Sequence, residues 1–369
     1  LKKILYSISL TIVTLSALAL LFSTATAYIP PGSLHFLAFA GFAFVALWIF
    51  NLALAIILLL RKSWFVLIPI IALLISLPHW NHCFRIWGKN VEASLVLEKP
   101  VTVMSYNTRM FDYYKHSGVN NTPEVTFDFI LQQSPDIISF QEYYTKLKPE
   151  EYSPAAIAMK FRAYPHRYFE YTEKHKGNTG YGLAIYSKYP IIEGGAIRFD
   201  QSRNMTIYAD IDINGTVVRV FNSHLESIGF QDSELEVLDS LDFRMSESQK
   251  RGLINISRKL TRALRSRATQ AETISGQIAE SPYPVIVCGD FNDIPVSYVY
   301  RKMRGKLKDA FTESGSGFGG TYNGRRLPSF RIDYIFHDPA FSSYNFRKFP
   351  VKYSDHYPIM AVIDLNPKR

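Results

Sequence analysis

Three long apolar runs open the chain, and from about residue 100 onward short apolar stretches alternate with polar ones. The runs cover about 4–27, 34–60 and 64–80. A helix crosses the ~30 Å hydrocarbon core with about 20 residues. The first two runs exceed that length and the third is near its lower bound. Tyr28-Ile29-Pro30-Pro31-Gly32 breaks the first pair and Arg61-Lys62 the second. Trp64, Trp80 and Trp87 stand where interfacial aromatics are expected. No run contains Asp, Glu, Lys or Arg, so the three read as an anchor rather than a transport path. Lys2, Lys3, Arg61 and Lys62 belong on the cytoplasmic side. Three crossings then place everything after Trp80 outside. If Ala25-Thr26-Ala27 were instead a signal cleavage site, two crossings would give the same placement. The expected organisation is an anchor over 1–80, a linker over 81–98 and a soluble domain over 99–369.

In the soluble part, Val101-Thr102-Val103-Met104-Ser105-Tyr106-Asn107 predicts a strand ending in an amide. A helix is expected over 123–133, with Phe127, Ile130 and Leu131 on its apolar face. Residues 135–142 predict a strand ending in Glu142, and 182–187 another. Residues 204–213 alternate, with Ile207, Ala209, Ile211 and Ile213 on one face. Asn214-Gly215 is a hairpin signal, and the return strand over 216–222 leads into Ser223-His224.

Residues 226–250 are polar and too long for a routine connection, which suggests a lid or ordered excursion. A helix over 250–278 follows. At roughly 100° per residue, Leu253, Ile256, Leu260, Ala263, Ala271, Ile274 and Ile278 share one face. Arg251, Arg258, Arg262 and Arg265 share the opposite face. Such a stripe suits phosphates or anionic lipid, or simply a solvated surface. Arg267 falls on the apolar face, which predicts a buried ion pair.

Val285-Ile286-Val287-Cys288 is short and β-branched, as a central strand should be. It ends at Gly289, where the backbone turns or approaches a neighbour closely. Asp290 and Asn292 follow with period two, so a continuing strand would point both side chains the same way. A helix is expected over 297–303, a strand carrying Asp333 over 331–336, and a last strand over 359–363 after Ser354-Asp355-His356-Tyr357-Pro358. The glycine-rich stretch 315–320 lacks Walker spacing.

The net charge of +9 suits polyanions or anionic lipid without choosing between them. The two cysteines, Cys83 and Cys288, lie in separate apolar segments and read as free thiols.

Polar residues thus recur at strand ends: Asn107, Glu142, His224, Asp290, Asn292, Asp333, Asp355 and His356. Carboxylates gathered at one sheet edge repel unless a divalent cation neutralises them. Oxygen ligands without a Cys/His cluster point to Mg²⁺ or Mn²⁺ rather than Zn²⁺. Two histidines beside such an ion offer acid–base chemistry and a cationic phosphate contact. Arg109, two residues past Asn107, is a further phosphate contact candidate.

At this point the chain resembles the endonuclease/exonuclease/phosphatase superfamily. The resemblance runs from about Lys99 to the C-terminus. It rests on Ser105-Tyr106-Asn107, Gln141-Glu142, Ser223-His224-Leu225, Gly289-Asp290-Phe291-Asn292, Arg331-Ile332-Asp333-Tyr334 and Ser354-Asp355-His356-Tyr357-Pro358, in the family's order. It implies an α/β (α+β) fold, a four-layer α/β/β/α sandwich, here preceded by a bundle of three transmembrane helices. It implies Glu142 as principal Mg²⁺ ligand with Asn107 and Asp355 nearby. Asp290 would orient or deprotonate the attacking water, and Asn292 would position water or phosphate. His356 would face the phosphate, oriented by Asp333, and His224 would serve the leaving group.

The substrate is left open. The inositol polyphosphate 5-phosphatase pattern, with Trp before Gly-Asp, is missing: Val287-Cys288 precede Gly289. The remaining substrates are a lipid headgroup or extracellular nucleic acid. A catalytically inactive binding protein is the reading from another class, and nothing points to a protein partner.

Overall fold

The computed structural model describes residues 2–32, 39–91, 97–146, 152–175, 179–200, 202–230, 234, 236, 246–324 and 329–366. The apolar runs form α1 (Lys2–Ala25), α2 (Phe44–Leu60) and α3 (Leu67–Cys83), the last two entered through 3-10 turns at Gly41–Ala43 and Trp64–Val66. The stretches Tyr6–Ala25, Gly41–Leu60 and Trp64–Cys83 are each long and apolar enough to cross a membrane, by length and composition. The helices pack together and carry one polar clamp. Asn51 is fully buried, donates to the Ser16 carbonyl at 3.1 Å and accepts from Ser16 Oγ at 3.2 Å.

The remaining strands are β1 (Phe84–Arg85), β2 (Pro100–Asn107), β3 (Ile137–Lys146), β4 (His166–His175), β5 (Thr179–Ser187), β6 (Ile191–Arg198), β7 (Met205–Ile213), β8 (Thr216–His224), β9 (Val285–Asp290), β10 (Lys308–Asp309), β11 (Gly317–Phe318), β12 (Asp333–His337), β13 (Ser342–Lys348) and β14 (Ile359–Asp364). The helices are α4 (Thr122–Gln133), α5 (Pro154–Lys160), α6 (Glu247–Ala279), α7 (Tyr298–Arg304) and α8 (Ala310–Ser314).

Two six-stranded sheets result, ordered β10-β12-β9-β8-β7-β6 and β13-β14-β2-β3-β5-β4. Their inner faces meet in an aliphatic core that includes Val103, Ile185, Ile207, Ala209, Ile211, Val220, Ile286, Ile335 and Ala361. The outer face of one sheet takes α4 and α5 through Phe127, Ile130 and Ile157. The other takes α6 and α7 through Ala271, Ile274, Val299 and Met303. This is the expected four-layer sandwich.

Each sheet holds one parallel pair, β2 with β3 and β8 with β9, because α4 and α6 carry the chain back across the sheet between them. The C-terminal ends of those parallel strands carry Asn107, His224 and Asp290, while Glu142, expected to end its strand, lies just past the last β2–β3 pair and β3 continues to Lys146. The β7–β8 turn is the expected Asn214-Gly215 pair, both at positive φ, which matches the twist of a two-residue hairpin.

Several expectations need correcting. The second run was expected from residue 34; residues 33–38 lie outside those described, and residues 39–40 are already helical ahead of the Gly41–Ala43 turn. The third helix continues past Trp80 to Cys83. The stretch 81–98 is not a free linker where it is described. Phe84–Arg85 pair antiparallel with Gly317–Phe318, and Val91 N–H donates to Asn345 Oδ1 at 2.9 Å. Two-residue ladders leave no periodicity to read. Most of the excursion expected over 226–250 lies outside the described residues, but α6 already begins at Glu247. A capping box between Ser246 and Gln249 fixes that start.

The apolar bundle docks on the sandwich by specific contacts. Thr26 Oγ1 donates to the Val296 carbonyl at 2.8 Å. Val296 itself belongs to the bundle's apolar cluster, with Leu20, Phe44, Ala72 and Cys83. Arg331, buried and paired with Asp309 at 2.8 Å, donates to the His82 carbonyl at 2.7 Å.

Candidate active site

The register of the sheet assembles the site. His224 pairs with Asp290, and Asp290 with Asp333, across β8, β9 and β12. Gly289 makes this possible. Its φ is +148°, and a Cβ there would lie 2.0 Å from the Ser223 carbonyl oxygen of β8. After Asp290 the strand stops. Asn292 has φ +53°, and its N–H donates to Asp290 Oδ1 at 2.8 Å. The period-two expectation is therefore corrected: a turn capped by Asp290, not a continuing strand, brings the two together. Asn292 Nδ2 then reaches Asp290 Oδ2 at 3.3 Å and the Leu225 carbonyl at 2.9 Å.

Glu142 sits where β3 slips register between Phe140 and Tyr143, at φ +51°. A bulge of this kind re-aims one side chain out of the strand's alternation. Glu142 Oε1 accepts from Asn107 Nδ2 at 3.3 Å and lies 3.9 Å from His224 Nε2. Asn107 Nδ2 also donates to Asp290 Oδ2 at 3.0 Å, and its Oδ1 accepts from the Arg109 N–H at 3.0 Å. Residues 109–112 all have positive φ, a left-handed turn that brings Arg109 back over the site. Arg109 Nε lies 3.4 Å from Asp355 Oδ2.

His356 Nδ1 contacts Asp333 Oδ2 at 2.9 Å, while its Nε2 faces Asp290 Oδ2 at 3.6 Å. His224 Nε2 approaches the same Asp290 oxygen at 3.7 Å. One carboxylate oxygen thus faces both imidazoles. All eight expected strand-end residues, and Arg109, converge here.

The two histidines are driven apart. Burial lowers His224, with the nearby Asp290 carboxylate opposing, so its neutral form is favoured. Burial acts the same way on His356, but the Asp333 and Asp290 carboxylates outweigh it and raise it well above the ordinary histidine range. Asp290 is raised by burial, against the pull of His356. Burial and then the Asp355 carboxylate push Glu142 up to about 7. Such pairs with opposed shifts mark acid–base sites.

Glu142, Asp290 and Asp355 crowd one cleft, and burial with the Asp355 carboxylate leaves the charged form of Glu142 short of support. An oxygen-only donor set with that deficit fits a hard divalent cation. Asn107 presents its nitrogen to Glu142 and Asp290. Serving as an oxygen ligand requires the amide to turn over, at the cost of the Arg109 N–H bond. Asp290, Asp333 and His356 also bring ligand atoms within 4.8 Å of one another. That trio reads better as a relay than a metal site, because an imidazolium bonded to Asp333 repels a cation.

These groups form the polar end of a cleft of ≈ 530 Å³, whose other lining includes Phe42, Ile256, Leu260, Ile294, Tyr322, Phe330 and Ile332. The sequence did not single out Tyr322, whose ring meets His356 edge-on at 5.6 Å. Nor did it single out Asn222, which lies below the site and accepts from Gln141 Nε2 at 2.6 Å between the sheets. The only signal for either was a polar side chain near an apolar strand. The Arg258, Arg262 and Arg265 stripe of α6 lines a separate, shallow surface. Arg267 meets Asp293 at 3.3 Å, the buried partner its place on the apolar face required.

A profile described as the Endonuclease/Exonuclease/phosphatase family matches residues 104–356. A second, described as a domain of unknown function, matches residues 2–83. No curated protein matches. A solved endonuclease/exonuclease/phosphatase from Beutenbergia cavernae is similar at 19% identity and a TM-score of 0.50, over 73% of this chain and 72% of that one. The D. rerio TDP2 structure complexed with single strand DNA product is similar at 16% identity and a TM-score of 0.50, over 72% of this chain and 99% of that one. At such identities the likeness is one of fold.

Proposed function

Because the chain belongs to the endonuclease/exonuclease/phosphatase family, we propose that it is a membrane-anchored, Mg²⁺-dependent phosphodiesterase acting on a lipid headgroup outside the cytoplasm. The convergence of Glu142, Asp290, His224 and His356 in one cleft carries the phosphodiesterase reading. Residues 1–80 serve as the anchor and 99–369 as the catalytic domain. The ends of the helices that touch the sandwich are Thr26, Gly41 and Cys83. Lys2, Lys3, Arg61 and Lys62 fall at the opposite ends, which supports an outward-facing site.

Glu142, Asp355 and a turned Asn107 would hold the ion. When bound, Mg²⁺ or Mn²⁺ neutralises phosphoryl oxygens and acts as a Lewis acid. Asp290, raised in pKa and held by Asn107 and Asn292, takes a proton from the attacking water. Cationic His356, oriented by Asp333, stabilises phosphoryl charge and gives its proton to the departing oxygen as the P–O bond breaks. Neutral His224 hydrogen-bonds the leaving oxygen. Arg109 contacts the phosphate. Hydrolysis of this kind rests mostly on positioning and charge stabilisation.

The choice of lipid over nucleic acid rests on α6. Its apolar face, through Ile256 and Leu260, lines the cleft, while Arg258, Arg262 and Arg265 line a different surface. Arg109 is the single Arg or Lys among the described lining residues. Nucleic-acid binding depends on neutralising many phosphates. A surface-tethered nuclease is the second reading, favoured by net charge and the basic stripe of α6, and an inactive binding protein the third.

The test uses the full chain in detergent, with Mg²⁺ or EDTA. Phospholipid vesicles containing sphingolipid and supercoiled plasmid are incubated in parallel. The expected result is Mg²⁺-dependent headgroup release with intact plasmid. Plasmid nicking instead supports the nuclease. No metal-dependent turnover of any phosphoester leaves the binding protein.

A further inference from the structure

We infer that the cleft contains a second, apolar subsite for the hydrocarbon chain of an amphiphilic phosphate ester, and that the apolar bundle contributes to it through Phe42. The inference deepens the lipid reading above and rests on it. The catalytic groups and the apolar wall share one continuous cleft, with Phe42, Phe330, Ile294 and Ile332 beside Asp290 and His356. The Phe42 and Phe330 rings meet edge-on at 5.5 Å, and both side chains remain part-exposed to the cleft. A cleft built only for polar esters gains nothing from such surface, and apolar surface that no described residue covers fits a binding site.

Phe42 is held in place rather than merely nearby. It follows Gly41 in the turn that leads into α2, where the bundle meets the loop after Asp290. A Cβ on Gly41 would come within 2.9 Å of Thr26 Oγ1 and 3.0 Å of the Val296 carbonyl oxygen. Only a glycine allows that close approach, and it sets Phe42 against Phe330 across the cleft.

The wall is also continuous with Gly41–Leu60, one of the three stretches apolar and long enough to cross a membrane. Aliphatic Ile256, Leu260, Ile294 and Ile332 line the same cleft as the two rings, a lining that suits a flexible chain better than stacked bases.

The test is inhibition of bis(4-nitrophenyl) phosphate hydrolysis by ethyl, butyl, hexyl and octyl phosphate, using the full chain in detergent. Each methylene buried on the wall should lower the inhibition constant about fourfold, the factor that ~0.8 kcal/mol corresponds to. In Phe42→Ser and Phe330→Ser the gradient with chain length should flatten. The readout is the butyl-to-octyl ratio within each variant, so a change in overall rate does not confuse it. A flat gradient in the parent chain overturns the proposal. So does a gradient surviving in both variants, which would belong to detergent partitioning. Adenosine 5′-phosphate binding more tightly than octyl phosphate would also overturn it, in favour of nucleic acid. If the diester is not turned over at all, the phosphodiesterase reading fails on its own. The chain-length series is then read by calorimetric binding of the same alkyl phosphates, where the same gradients decide.

Discussion

His356 Nδ1 lies 2.9 Å from Asp333 Oδ2, and both residues are buried where the two sheets meet, Asp333 at the start of β12 and His356 just before β14. Register places Asp333 directly opposite Asp290 at the start of β12, and the segment before β14 of the other sheet, bridged to Tyr322, brings His356 to it. Asp333 thereby fixes the ring so that Nε2 faces Asp290, 3.6 Å away. Asp333→Asn keeps the shape but removes the charge that holds the ring cationic. We expect kcat on a soluble phosphodiester to fall by about 10²–10⁴, with KM changed far less. Initial rates across substrate concentration check this, and a loss below about threefold would remove Asp333 from the relay.

Burial raises the Glu142 carboxyl, and the Asp355 and Asp290 carboxylates raise it further. Glu142→Gln keeps the acceptor for Asn107 but removes the anion. The variant should need at least about tenfold more Mg²⁺ for half-maximal activity, the scale by which metal-site changes alter affinity. A Mg²⁺ titration reads it, and an unchanged midpoint would move the ion elsewhere.

Arg267 is wholly buried, and Asp293 is 2% exposed. Arg267 also donates from Nη1 to the Glu226 carbonyl at 3.2 Å. Burial already pushes the Asp293 carboxyl up against the pull of Arg267. Arg267→Met strands that carboxyl three residues from Asp290. It should cost about 3–5 kcal/mol, while Arg267→Met with Asp293→Leu should recover much of the loss. Thermal unfolding of the two variants in one detergent separates them. Equal losses would show that the Asp293 charge is not what the single change exposes.

Asn107, His224 and Asp290 were legible because each closes a short β-branched or aromatic run, as at Val285-Ile286-Val287-Cys288 and Val101-Thr102-Val103. The edge strands were not. β4 begins His166-Arg167-Tyr168 and β6 carries Glu193-Gly194-Gly195, so neither alternates cleanly. An edge strand is specified by its neighbour rather than by its own pattern. The convergence on Asp290 was foreseen, but the means was not. A register slip aims Glu142, and a turn rather than a strand brings in Asn292. The part played by Phe42 was hidden for a different reason. In an apolar run one phenylalanine looks like the next, and only the docking of the bundle gives this one a separate environment.

Glu313 offers a test of the fold away from the site. Its Oε2 accepts from Ser343 N–H at 2.8 Å and lies 3.1 Å from His337 Nε2, tying α8 to β12 and β13. Lys308 Nζ lies 3.5 Å from Oε1. Burial works against the carboxylate, but the His337 and Ser343 bonds win and lower it from 4.5 to about 2. The folded chain therefore releases this proton more readily than the unfolded one. The resulting stability is complete above the unfolded value and is lost as pH falls through about 2. With about a quarter of the side chain exposed, it amounts to at most about 3 kcal/mol. Glu313→Gln should lower the melting temperature at pH 7 and bring the two chains closer as the pH drops from 5 to 3. Melting curves over that range test the sign. A difference between parent and variant that is constant or widens toward acid would show that the bonds at Glu313 do not favour its charged form.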